Sequence, residues 1–436
     1  MNRRDFLITT CVAALAPRIT LASASFELVA QPVNAQILPE GDPTTPMLGF
    51  NGSTPGPVLR ARQGDTFDIR FLNQIGEGSA VHWHGMRIEN AMDGVPGMTQ
   101  KVVERGAEFE YSFRAPDAGT FWYHSHNRSW EQVAKGLYGP LIVEERTPPD
   151  VDHDLIVMID DWRVTESGAL ADGFDNRHDQ AHQGRLGNFA RALVEPNTPV
   201  RRGDRVRLRL INVATDRIFP IKLEGIDGKI VAFDGMPLPN PQGVSNLILA
   251  PAQRADIIAD VTSADQIAFV FPTRDDPYLL GEIPVEGVNT TRQPSEVPAL
   301  PPNEQKQPDF DNVVALTLTM QGGAMSRPVS TQTDIWAFNG QSGLTDTPLH
   351  RFERDQTARI RLMNDTRFPH GIHLHGHHFF EVGADGSLGA FRDTTLVGAG
   401  ETRDIVCVFH NPGKWLLHCH MLGHQAAGMK TWVEVA

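Results

Sequence analysis

The sequence predicts an all-β protein built as three β-sandwich domains in tandem. Three observations carry that expectation. Short runs rich in Val, Ile, Phe and Leu are punctuated by 39 Gly and 31 Pro, the pattern of strands and turns. A strand-like motif recurs three times along the 436 residues. Sustained helical periodicity is scarce.

The repeat sets the domain count. Gly64-Asp65-Thr66-Phe67-Asp68-Ile69-Arg70-Phe71-Leu72-Asn73 matches Gly203-Asp204-Arg205-Val206-Arg207-Leu208-Arg209-Leu210-Ile211-Asn212, and a third copy runs from Asp355 to Asn364. Each is a turn followed by alternating apolar and polar residues, as in a half-buried strand. Phe50-Asn51-Gly52 precedes the first copy and Phe338-Asn339-Gly340 the third. The copies lie about 140 to 150 residues apart, a suitable size for one sandwich domain. Domains are therefore expected at 25–147, 148–292 and 310–436, with Pro148-Pro149-Asp150 at the first boundary. Residues 293–309 hold Pro294, Pro298, Pro301, Pro302 and Pro308 among polar neighbours and read as a stiff linker.

Residues 1–24 read as an export signal. Arg3 and Arg4 precede Phe6-Leu7-Ile8 and an apolar stretch to Ala16, a pattern that resembles the twin-arginine (Tat) signal, and Ala22-Ser23-Ala24 fits a cleavage site of small residues. The expectation is a periplasmic or otherwise exported protein that meets the Tat export machinery. The apolar run is short for a membrane anchor, and no other segment is long and apolar enough to cross a bilayer. The formal charge is -14, and losing the signal leaves about -16. So acidic a body repels phosphate backbones, which argues against a nucleic-acid partner.

Cys11 lies in the signal, leaving Cys407 and Cys419, so the chain is no disulfide scaffold. Its 17 histidines are more telling. Four clusters stand out: His82-Trp83-His84, His124-Ser125-His126, His373-Leu374-His375 and His418-Cys419-His420. In a strand, residues i and i+2 share a face, so each pair presents two imidazoles side by side. Imidazole suits copper, zinc, iron and nickel, so the histidines alone do not name the metal.

The C-terminal stretch narrows the choice. Cys419, His424 and Met429, with His370, supply two imidazoles, a thiolate and a weak thioether, the set that a blue-copper electron-transfer site requires. Zinc would favour four ligands of comparable strength. Alternation adds a second consequence: if Cys419 faces one metal, His418 and His420 face the other side of the strand. A thiolate covalently adjacent to two imidazoles of a second centre is wired for electron transfer.

These four clusters, in this order, resemble those of the multicopper oxidases, a family that includes laccases, cuprous oxidases and bilirubin oxidases. The resemblance covers nearly the whole mature chain. It implies three cupredoxin-like Greek-key domains and four copper ions: one type 1, one type 2 and a type 3 pair. Carried over by position, it makes His370, Cys419 and His424 the type 1 ligands, with Met429 axial. His82 and His373 match the type 2 ligands, and His84, His124, His126, His375, His418 and His420 the type 3 ligands. Asp93, in Asp93-Gly94, stands where relatives carry a carboxylate that assists proton delivery during dioxygen reduction. Gly423 and Gln425 flank His424 where many bacterial relatives carry Glu on both sides. A Gln cannot relay protons as a carboxylate does, so the resemblance does not extend to the late part of the family's proton path. His377 and His378 lie close enough to support the ligands, and the loop from Ser167 to Phe189 is a candidate border of the substrate surface.

The function expected from the resemblance is one-electron oxidation of small reductants, phenols or aromatic amines, coupled to four-electron reduction of dioxygen to water. Oxidation of cuprous ion in copper tolerance is the alternative, disfavoured by the absence of a Met-rich insert: the 12 Met are scattered, with Met320 and Met325 the nearest to a group. A copper-free periplasmic scaffold is the alternative from outside enzymology, disfavoured because no ligand is lost.

Overall fold

The protein is described here by a computed structural model that covers residues 23–245, 247–293, 295–325, 329 and 334–436. The arginine pair and apolar run of the expected export signal, and Pro294 of the expected linker, lie outside these residues. The first strand begins at Ser23 and pairs with Thr66–Asn73, so Ser23 and Ala24 are strand residues here.

Six sheets divide into three pairs along the chain. The first pair lies within 23–144, the second within 153–288 and the third within 313–435. This is the all-β architecture of three tandem sandwiches that the repeat predicts. Each pair encloses a core where inward side chains meet, with Phe67, Tyr111 and Tyr123 in the first, Leu208, Ile257 and Phe269 in the second, and Ile360, Phe379 and Trp415 in the third.

The sequence repeat has a structural counterpart in detail. Thr66–Asn73, Arg205–Asn212 and Gln356–Asn364 each lie parallel to an earlier strand of their own sheet and antiparallel to a later one. The closing Asn recurs because its amide ties the chain as it leaves the strand. Nδ2 of Asn73 donates to the carbonyls of Glu77 and Val103, and Oδ1 accepts from Ile75 N–H. Asn212 and Asn364 make the corresponding bonds, to Arg217, Leu249 and Ala214 and to Phe368, Val397 and Thr366. A backbone amide could not satisfy these groups while the strand turns away.

The Phe-Asn-Gly elements recur for a similar reason. Asn51 and Asn339 sit at φ 52° and 49°, a left-handed conformation that Asn tolerates better than most residues. Their side chains then bond the backbone of the neighbouring strand, at Val29 and Glu27 in one case and Thr319 and Thr317 in the other.

Two sheets matter for the site. In the first domain the order is Leu59–Arg62, Tyr138–Glu144, Gly119–Ser125, Val81–His84. In the third it is His350–Phe352, Lys430–Val435, Gly413–Cys419, His370–Leu374, Thr394–Val397. The histidine-bearing strands are thus neighbours within each sheet, with His82 opposite His124 and His373 opposite His418.

Candidate metal centres

Strand alternation sends the side chains of His418 and Cys419 into two different chambers. In the first, Cys419 Sγ lies 3.6 Å from His370 Nδ1 and 3.8 Å from His424 Nδ1, and the two ring nitrogens are 3.0 Å apart. His370 opens its strand and His424 sits on the short helix Leu422–Ala426. The far nitrogen of each ring is engaged. His424 Nε2–H donates to the His182 carbonyl at 2.8 Å, and Thr366 Oγ1 meets His370 Nε2 at 2.9 Å. The proton held at His424 Nε2 leaves Nδ1 bare and facing the sulfur. The Trp336 ring packs against both imidazoles.

Met429 is fully buried, and its carbonyl accepts from Cys419 N–H at 3.0 Å. A second thioether is also present, since Met421 Sδ lies 3.8 Å from Cys419 Sγ. Sequence reasoning did not single out Met421, which reads as an apolar residue of the motif. Burial pushes the Cys419 thiol up and lowers His424 to about 4, as it does for any group losing water around its charged form. Cys407 is buried, unpaired and outside both chambers, its thiol facing the His378 carbonyl.

The second chamber lies between the first and third domains. Three donor sets converge there, each with its ligand atoms within 4.8 Å: His84, His124 and His420; His126, His375 and His418; and His82, His84 and His373. The two domains meet about a pseudo-two-fold, with the His82 ring stacked on His375 at 4.0 Å and His84 on His373 at 3.8 Å.

Two buried carboxylates repeat that pseudo-two-fold. The Asp93 carbonyl accepts from His82 Nδ1–H at 2.7 Å, and its carboxylate accepts from His375 Nδ1–H at 2.9 Å. The Asp393 carbonyl accepts from His373 Nδ1–H at 3.0 Å, and its carboxylate accepts from His84 Nε2–H at 3.1 Å. Each Asp therefore sets the tautomer of one histidine from each domain. Burial alone would raise both carboxyls. The imidazoles of His375 and His82 overcome it at Asp93, and Arg254 with His84 does so at Asp393, so both are held well below the usual carboxylate range. Asp393 was not found from the sequence, where Arg392-Asp393-Thr394-Thr395 carries no metal-ligand spacing. His378 approaches it too, with Nε2 3.5 Å from Asp393 Oδ2, whereas His377 turns to the His375 carbonyl.

Whether these residues suit metal ions is tested by their unused nitrogens. His82 Nε2, His84 Nδ1, His124 Nε2, His126 Nε2, His373 Nε2 and both nitrogens of His420 are buried without a hydrogen-bond partner among the described residues. Burial lowers the basicity of His84, His124, His126, His373, His375, His418 and His420, which favours neutral rings. Buried polar atoms normally find partners. A cluster of bare imidazole lone pairs is instead the donor set of soft or borderline cations. The residues fit.

Over the first chamber lies the segment expected to border the substrate surface. Gln183 and Leu186 join Ile218, Pro220, Phe271, Pro369, Met421 and His424 around a cavity of about 350 Å³. Asp216 fastens this cover, accepting from Arg185 N–H and from Gly423 N–H, both at 3.1 Å.

Comparison with known proteins agrees with this geometry. Three multicopper oxidase family models match residues 33–148, 153–276 and 309–436. Multicopper oxidase MmcO of Mycobacterium tuberculosis is 32% identical over 97% of this chain and 91% of its own. Copper resistance protein A of Pseudomonas syringae pv. tomato is 25% identical, covering 89% of each. The crystal structure of Lac15 from a marine microbial metagenome is 76% identical and superposes with a TM-score of 0.83, covering 94% of this chain and all of that one. Three cupredoxin-like domains, two histidine-lined chambers and these matches establish that the chain is a copper-binding oxidoreductase that belongs to the multicopper oxidase family.

Proposed function

We propose that the protein oxidises small phenols or aromatic amines one electron at a time and reduces dioxygen to water. In this reading four coppers are held. His370, Cys419 and His424 would hold the type 1 ion, with Met429 as a further, weaker thioether donor. His82 and His373 bind the type 2 ion. His84, His124 and His420 bind one type 3 ion, and His126, His375 and His418 the other. Copper bound there would supply reversible one-electron chemistry at both chambers.

The observation that carries the substrate reading is the cavity of about 350 Å³ against His424, walled by Leu186, Ile218, Phe271, Pro369 and Met421. Its lining is mainly apolar, with Gln183, Asp216 and Arg217 as polar members; it is large enough for an aromatic ring and adjacent to a ligand of the thiolate centre. Each remaining residue has a defined task. His182 keeps the proton on His424 Nε2. The Cys419–His418 peptide gives a through-bond path between chambers. Asp93, buried and accepting from His375, is the carboxylate that in this reading would take up protons and relay them to the second chamber.

Cuprous oxidation is the second reading, favoured by the similarity to Copper resistance protein A. We also propose Tat-dependent export to the periplasm, supported by Arg3, Arg4 and the apolar run that follows. N-terminal mass analysis of the protein from a periplasmic fraction tests export, and a full-length chain confined to the cytoplasm refutes it.

The test of substrate is oxygen uptake by copper-loaded protein with a methoxyphenol and, under matched conditions, with cuprous ion. Rapid phenol turnover indifferent to added copper supports the laccase-like reading. Strong cuprous oxidation, with phenol turnover only in excess copper, replaces it with the metallo-oxidase.

A further inference from the structure

The middle domain carries no member of the four histidine clusters, yet one of its side chains reaches the second chamber. Arg254 is fully buried on the strand Arg254–Val261. Its guanidinium grips both oxygens of Asp393, with Nη1 to Oδ1 at 3.0 Å and Nη2 to Oδ2 at 2.7 Å. Nε donates to the Thr120 carbonyl of the first domain at 3.2 Å, and Nη1 to the Ala252 carbonyl at 3.1 Å. One planar fork therefore joins all three domains. Asp393 in turn bonds His84 and His373, which come from different domains and carry bare nitrogens on their far sides.

The surroundings keep the fork in place. Gly85, directly after His84, adopts φ +83°, and a Cβ there would collide with Arg254 Nη2 and Asp393 Oδ2. Asp234 backs the arginine and also accepts from Arg392, the residue before Asp393. A bidentate arginine–carboxylate pair restricts both distance and plane, which a lysine cannot do. At the pseudo-two-fold counterpart, Asp93 has no arginine ion-pair partner among the described residues. Among the described residues the two carboxylates are thus held differently: Asp93 by imidazoles, and Asp393 by a rigid charged fork as well.

We propose that Arg254 is a positioning residue of the dioxygen-reducing copper centre, acting from the middle domain by locking Asp393 and, through it, the orientation and tautomers of His84 and His373. The proposal rests on the ligand assignment given above. The middle domain then contributes to the oxygen site as well as to the substrate surface.

The experiment compares wild type, Arg254→Lys and Arg254→Met as copper-loaded full chains, with circular dichroism as the check on folding. The readouts are copper content, the blue absorption, the electron paramagnetic resonance of type 2 copper, and kcat and KM for dioxygen. Arg254→Lys keeps the charge and loses the fork, so it remains informative if Arg254→Met fails to fold. The expected result is unchanged blue absorption, an altered type 2 spectrum and at least a tenfold lower kcat/KM for dioxygen, milder in Lys than in Met. A folded Arg254 variant with wild-type copper content, type 2 spectrum and oxygen kinetics overturns the proposal, whatever its melting temperature. Absence of a type 2 signal in copper-loaded wild type overturns the ligand assignment instead.

Discussion

His375 Nε2 and His418 Nε2 face each other across 3.1 Å, each on a ring whose other nitrogen is already engaged. His375 Nδ1–H donates to Asp93, and His418 Nδ1–H donates to the Cys419 carbonyl. With the protons held there, two bare lone pairs point into one space, an arrangement that is repulsive until a cation lies near both. The same holds for the unpartnered nitrogens of the neighbouring rings. Metal binding and folding are therefore linked.

Removing copper with a chelator should lower stability in proportion to how tightly the sites bind, by about 4 kcal/mol where free metal stands a thousandfold above Kd. Calorimetry of holo- and chelated protein measures it. Equal melting temperatures would mean that the chambers tolerate their bare nitrogens.

Cys419→Ser should abolish the blue absorption and steady-state turnover while leaving the strand pairing Ile372↔Cys419 intact. A serine oxygen cannot replace the polarizable thiolate that blue copper requires. Absorption and circular dichroism, recorded together, test this, and a variant that stays blue removes Cys419 from the ligand set.

Asp93→Asn keeps the size of the side chain and the backbone bond to His82, but removes the carboxylate at His375. Turnover with dioxygen should fall by about a hundredfold or more, the usual scale of positioned proton transfer. Anaerobic reduction of the blue centre should keep its wild-type rate. Slowing of that anaerobic step would assign Asp93 a structural role rather than one in proton delivery.

Asp160 offers a pH prediction away from the metals. It is buried, accepts from the Tyr138 hydroxyl at 2.6 Å and joins the first domain to the second. Burial, opposed by that hydrogen bond, raises its carboxyl to about 8. The folded chain then keeps a proton that the unfolded chain releases above an ordinary value near ~4. This group's contribution to stability is full below that lower value and declines as pH rises towards about 8. Asp160→Asn stays neutral throughout, so its urea midpoint should fall less than that of wild type between about pH 5 and pH 8.5. Parallel losses in the two proteins would show that Asp160 is already ionised in the fold.

Much of this was legible before any coordinates. The period of two in Thr66–Asn73, Arg205–Asn212 and Gln356–Asn364 announced strands, and their spacing announced three domains. Each His-x-His pair declared two imidazoles on one face, and the alternation of His418 with Cys419 declared two chambers on opposite sides of one strand. Those inferences succeed because strand geometry is local and nearly invariant.

Contacts across hundreds of residues were beyond its reach. Only the tertiary structure divides the imidazoles into sets, placing His84 with His124 and His420, and His126 with His375 and His418. It alone lays the His182 carbonyl on His424 and carries Arg254 from the middle domain to Asp393. The physical reason is that a side chain's direction follows from its own backbone, which the local sequence encodes. Its partner across a domain seam depends on how three separately folded sandwiches pack, and no spacing along the chain records that.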